Sequence, residues 1–109
     1  TGYRKNERYK EAFGCYDEII KIDPKFVAAY FNKGYVFLEY LQQYDSAAVY
    51  FSNALGIFPG YYQAYFNRGL CNESLNKRSE AEADYRKALT IKPDYTDAAV
   101  ALSRLTDGK

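Results

Sequence analysis

The chain has 109 residues, with 15 Lys and Arg against 14 Asp and Glu, a formal charge of +1 and no His. That length suits one domain, a 48% hydrophobic content supports a buried core, and the near-neutral balance provides no field for a nucleic-acid backbone or an anionic membrane surface. No apolar run approaches the roughly 18 residues of a membrane span, no signal peptide is visible, and no metal-ligand cluster or glycine-rich phosphate loop points to catalysis, a metal or a cofactor.

From the N-terminus, Gly2–Asn6 reads as the stub of one helix and residues 8–22 as another, with Ala12, Tyr16, Ile19 and Ile20 at helical spacing. Asp23-Pro24 ends it, because the residue before a proline avoids the helical region. A helix is expected over 26–40, where Tyr30, Gly34 and Phe37 share one face. Another is expected over 44–57, with Asp45 as its cap, Ala47, Phe51, Ala54 and Phe58 on one face, and Phe58-Pro59 as its stop. Helices follow at 61–75, 79–91 and 95–106; Ser79-Glu80-Ala81-Glu82 resembles a capping box and Lys92-Pro93 a terminator. The fold class is all-α.

These helices repeat. Pro24, Pro59 and Pro93 are 35 and 34 residues apart, and the same steps relate Ala12, Ala47 and Ala81; Tyr16, Phe51 and Tyr85; Ile19, Ala54 and Ala88; Ile22, Ile57 and Ile91; and Phe26, Tyr61 and Tyr95. Phe31-Asn32 recurs as Phe66-Asn67, and Gly34 as Gly69. Small residues at Gly34, Ala47 and Ala54 allow close helix approach, while Tyr30 and Phe51 fill the space alongside. Phe37 to Tyr44 spans one residue more than Asn72 to Arg78, which places an insertion within Leu38–Gln43, expected in the turn.

Tyr65-Gly69-Ala81-Tyr85-Ala88-Pro93, and Tyr30-Gly34-Ala47-Phe51-Ala54-Pro59 with its extra residue, resemble the tetratricopeptide repeat. Two departures are Asn72, where the other unit has Phe37, and the C-terminal helix, with Ala99 and Ser103 for the aromatic and the glycine. The resemblance implies a helical-hairpin superhelix: a partial repeat at 1–25, units at 26–60 and 61–94, and a closing helix at 95–109. The partial first unit is read as part of a longer array, with an uncovered face on helix 8–22 through which the chain would self-associate.

The resemblance also implies a concave groove lined by the first helix of each pair, here Ala28, Phe31, Asn32, Tyr35 and Leu38, then Gln63, Phe66, Asn67 and Leu70, then Asp97, Val100, Ala101 and Arg104. The sharpest candidates are the repeated Phe-Asn pairs, since Asn both donates to and accepts from a peptide backbone whatever its sequence. The expected function is a non-catalytic scaffold binding another protein's peptide segment. The alternative is a helical-repeat RNA-binding module, which the +1 charge disfavours. Family members that clamp chaperone C-terminal carboxylates need Lys and Arg in the groove, where this chain has Phe31, Tyr35 and Gln63; Lys33 and Arg68 follow the Asn residues and should point elsewhere. Glu39 and Glu73 are groove-end carboxylates without an evident partner. Cys15 and Cys71 sit on non-adjacent units and are expected to stay unpaired.

Overall fold

Each proline bends the backbone in the same way. At Asp23–Phe26, Phe58–Tyr61 and Lys92–Tyr95 the fourth amide donates to the first carbonyl, at 3.1, 3.2 and 3.1 Å. Pro24, Pro59 and Pro93 hold the second position, where a fixed φ suits the turn. The computed structural model describes the backbone of residues 2–107 and the side chains of residues 8–107. These reversals and two tighter ones connect α1 (Gly2–Ile22), α2 (Val27–Val36), α3 (Tyr44–Ile57), α4 (Tyr62–Ser74), α5 (Arg78–Ile91) and α6 (Thr96–Asp107). Each helix packs on its chain neighbours, so α2 with α3 and α4 with α5 form stacked hairpins, 41 × 32 × 20 Å overall. The result is an α-α superhelical array in which no described helix is long and apolar enough to cross a membrane.

Three local expectations are corrected. α1 runs unbroken from Gly2, so Gly2–Asn6 is not a separate stub; the stretch Arg4-Lys5-Asn6-Glu7-Arg8 contains no Gly or Pro to interrupt it. The helix starts are not capped by Asp45 or Ser79 either. Gln43 and Lys77 are the flanking residues of α3 and α5, without a side-chain cap bond, and among the described residues the Asp45 carboxylate accepts only from the amide of Ser46. The chain is turned instead by left-handed residues, Gln42 at φ 53° and Asn76 at φ 62°.

The third correction concerns the extra residue. In the second hairpin the Lys77 amide closes the turn on the Asn72 carbonyl at 2.8 Å, and in the first the Gln43 amide closes on Phe37 at 2.9 Å. The turn is therefore the same, and the insertion lies before it. Residues Phe37–Leu41 continue α2 as a π-helical turn, in which Leu38, Glu39 and Tyr40 stand where α4 has only Glu73 and Ser74. A single-turn π-bulge absorbs one residue without disturbing the helix ends.

The core is built by rings set against glycines. Phe51 and Tyr85 are fully buried, as are Ala47, Ala54, Ala81 and Ala88 around them. A Cβ on Gly34 would stand 3.0 Å from the Phe51 ring, and one on Gly69 only 2.6 Å from Tyr85. The glycines are thus notches that let the rings lie against the α2 and α4 backbones. α1 has no such cover among the described residues: Ile19 and Ile22 are 37% and 83% exposed, whereas Ala54 and Ala88, the counterparts of Ile19, are sealed. Cys15 is exposed, Cys71 is buried, and neither forms a disulfide; burial pushes the Cys71 thiol up to about 12.

The two notches differ in tightness, and a Gly→Ala change also gains about 1 kcal/mol of helix propensity. Gly69→Ala should therefore lower the melting temperature more than Gly34→Ala, where a small ring shift suffices. Leu at either site should cost about 1–3 kcal/mol or more. Thermal melts of the four variants check this; equal shifts for the two alanine variants would contradict the notch geometry.

Candidate peptide groove

By the repeat register, α2, α4 and α6 are the helices expected to line the groove. At its turn end, Leu38, Glu39, Gln42 and Tyr44 stand on one side and Leu70, Glu73, Ser74 and Arg104 on the other, enclosing about 430 Å³. Asn67 continues the Leu70–Ser74 stripe toward the start of α4, at helical i, i+3 and i+7 spacing.

The expected groove residues do not share one environment. Asn32 and Tyr35 are exposed, Gln63 is half-buried, Leu38 is buried, and Leu70 is half-buried between the two hydrophobic clusters. Asn67 is nine-tenths buried, yet its amide makes no hydrogen bond among the described residues. The amide atoms keep some contact with solvent, so the group is held in place with its hydrogen-bonding capacity unspent.

Phe31 and Phe66, expected to line the groove, lie largely within the packing. Phe31 stacks on Tyr61 at 4.6 Å and meets Phe51 edge-on at 5.5 Å. Phe66 has the equivalent partners in another geometry, meeting Tyr95 edge-on at 5.4 Å and Tyr85 tilted at 5.8 Å. Each first helix is packed from two sides, by its own partner and by a neighbouring repeat, so its buried arc is wider than one i, i+4, i+7 stripe. Of the C-terminal residues, Ala101 is buried while Asp97, Val100 and Arg104 are exposed.

The cations near the groove are drawn out of it. The Lys33 ammonium is 2.6 Å from Asp17 and 4.6 Å from the Tyr50 ring centre. The Arg68 guanidinium donates to Asp84 at 2.7 and 3.0 Å and to the Ser52 hydroxyl at 3.1 Å. The two slots are equivalent, each between the preceding repeat's second helix (Asp17, then Ser52) and its own (Tyr50, then Asp84), but the acid changes sides. Asn72 completes the second slot by donating to Asp84 at 2.9 Å, which explains the Asn where the first unit has Phe37.

Glu73 gains a partner that its sequence neighbourhood does not reveal. Arg104 on α6 donates to it at 3.0 Å and the Tyr85 hydroxyl at 2.8 Å. The Arg104 hydrogen bond, joined by Tyr85, holds the Glu73 carboxyl below its ordinary range; burial and this carboxylate raise the Tyr85 phenol. Glu73 is therefore a fixed anion that ties α4 to α6, the opposite of a carboxyl poised to give up a proton.

Two comparisons with tetratricopeptide repeat models match residues 15–48 and 62–95. The chain belongs to the tetratricopeptide repeat family. The first match takes α1 with α2, the second α4 with α5. The chain is 28% identical to human sperm-associated antigen 1 over 101 residues, 93% of this chain and 11% of that protein, and 29% identical to mouse RNA polymerase II-associated protein 3 over 94% of this chain and 16% of that one. It thus spans no more than about a sixth of the relatives it matches. Among solved structures it is similar to the first tetratricopeptide domain of Spaghetti bound to the HSP90 peptide SRMEEVD, with 26% identity, a TM-score of 0.86 and coverage of 98% of this chain and 84% of that one. It is also similar to the second such domain of human RNA polymerase II-associated protein 3 with the HSP70 peptide SGPTIEEVD, at 27% identity, a TM-score of 0.84 and coverage of 96% and 87%.

A carboxyl with a depressed folded pKa stabilises the fold above its unfolded pKa and loses that contribution as pH falls through the folded value. Acidification below about pH 4.5 should thus weaken the α4–α6 link. Arg104→Gln should lower the melting temperature at neutral pH and flatten its decline on acidification. Melts of both proteins from about pH 6 to about pH 3 test this; parallel curves would show that the pair carries no stability.

Proposed function

We propose that this chain is a non-catalytic protein-interaction module holding an extended peptide segment along the α2–α4–α6 face. The observation that carries the reading is the Asn67 amide, fixed by burial and left without a partner, with Asn32 at the matching position of the preceding repeat. Because the amide is held by the packing around it yet still reaches solvent, it can pair with a ligand backbone with little further ordering, while Tyr35, Leu38 and Leu70 supply apolar contact. The likeness to domains in complex with HSP90 and HSP70 peptides supports a peptide ligand. It does not extend to those acidic termini, because Lys33 and Arg68 are committed to the slots between repeats.

With the partner segment identified by affinity capture on the parent protein, Asn32→Ala combined with Asn67→Ala should weaken binding by about 2 kcal/mol, roughly thirtyfold. Lys87→Ala, on the opposite face, should leave it unchanged, and circular dichroism of all variants should match. SRMEEVD should bind far more weakly than the partner segment. If the double variant binds like the parent while Lys87→Ala does not, the ligand lies on the convex face.

The open face of α1 carries a second proposal, self-association through residues 8–22. Ile19 and Ile22 are exposed, and contiguous apolar surface of this kind promotes association. Sedimentation of the 109-residue chain should show a concentration-dependent dimer that Ile19→Glu with Ile22→Glu abolishes; a monomer throughout refutes it.

A further inference from the structure

The turn end of the groove has a distinct chemistry, and the π-helical turn creates it. Tyr40 is 52% exposed and Tyr35 41%. Their rings meet edge to face at 6.3 Å and 73°, and Tyr9 backs Tyr40 at 5.4 Å. The result is a corner of two solvent-facing rings braced by a third. The α4 hairpin has no counterpart, because Ser74 stands where the inserted turn carries Tyr40.

Glu39, beside Tyr40 in sequence, lines the 430 Å³ groove. It is exposed and has no ion-pair or hydrogen-bond partner among the described residues. The cation that lines the same groove, Arg104, is already bound by both oxygens of Glu73. Lys33 and Arg68 are held by Asp17 and Asp84. This end of the groove therefore offers an unneutralised carboxylate. Just outside its lining, the exposed rings of Tyr35, four residues before Glu39, and of Tyr40, next to it, stand beside that carboxylate, and further along lies an unbonded amide. Ring faces attract cations, and a planar guanidinium both stacks on a ring and forks to a carboxylate, which an ammonium does less well.

Resting on the groove reading above, we infer that the turn end receives an arginine of the partner segment, its guanidinium against Tyr35 and Tyr40 and its charge met by Glu39. The partner is then a basic peptide, opposite in charge to those in the complexes with HSP90 and HSP70 peptides. Asn67 and Asn32 would set the backbone register, and the arginine would set specificity.

The probe is a random twelve-residue peptide library displayed on phage and selected on the 109-residue chain, with the strongest sequence then synthesised. Selected peptides should share an arginine. Replacing it by lysine should weaken binding a few-fold and by alanine about tenfold or more. Glu39→Gln and Tyr40→Leu should each reproduce about tenfold of that loss; leucine keeps the apolar contact with Tyr9 but removes the ring face, and circular dichroism confirms the fold. Selected peptides that lack a basic residue yet depend on Asn32 and Asn67 would overturn the arginine site and leave the groove reading standing. Arginine peptides indifferent to Glu39→Gln and Tyr40→Leu would also overturn it. A selection that enriches nothing would overturn both readings.

Discussion

The structure depends on a ring seated against a helix backbone. Phe51 lies over Gly34 and Tyr85 over Gly69, at separations that exclude a Cβ in the tighter case. This contact sets the spacing of each hairpin. Alanines 47, 54, 81 and 88, all fully buried, maintain that spacing along the helices, since small residues let backbones approach and larger ones would splay them. Once the hairpins are fixed, the first helices are left with one face free, and that face is the candidate groove. A broader ring system then joins the units: Phe31 bridges Phe51 and Tyr61, and Phe66 bridges Tyr85 and Tyr95. Stability and groove shape thus come from the same aromatic residues, which explains why a chain of this size devotes 20 positions to Tyr and Phe.

Much of this was legible in the sequence because it is local and periodic. Gly34 and Gly69 recur at near-constant sequence distances from Phe51 and Tyr85, so the pairing of small with large is readable from spacing alone. The prolines announce the reversals because their effect is confined to adjacent residues. What could not be read depends on partners brought close only by folding. Phe31 and Phe66 look free when one packing stripe is drawn through each helix, yet a neighbouring repeat buries a second. Glu73 finds Arg104 across 31 residues, a separation without a sequence signal of its own. The inserted residue could be located to Leu38–Gln43, but sequence spacing does not tell a longer loop from a wider helical turn. The closing hydrogen bonds at Gln43 and Lys77 decide for the helical turn.

The groove shows the same division. Its location follows from the repeat register, and the exposure of Asn32 and Tyr35 follows from the helical period. That Lys33 and Arg68 point away from it follows from their place after the Asn residues, but the acids they meet do not, because Asp17 and Asp84 lie on other helices. Either residue, had it been left unpaired, could have lent the groove positive charge. Each is instead held at a junction between repeats, so the charges that remain at the turn end come from Glu39 and the Glu73–Arg104 pair.

Those junction slots also carry information about assembly. The position filled by Asp17 in α1 and Ser52 in α3 becomes Arg86 in α5 by the 35- and 34-residue steps. In the native order Lys33 meets Asp17, Arg68 meets Ser52, and Arg86 meets the uncharged Leu102 of α6, which lies beside it in a surface cleft. Were the two hairpins exchanged, Lys33 would lose Asp17 and face Arg86, a cation already paired with Glu82 at 2.8 Å, while Arg68 would take Asp17 in place of Ser52. The units share a backbone but are not interchangeable modules. Each junction has its own chemistry, a carboxylate at the first, a hydroxyl at the second and a leucine beside an arginine at the third, so repeats that share a backbone plan stack through side-chain contacts that change from one boundary to the next.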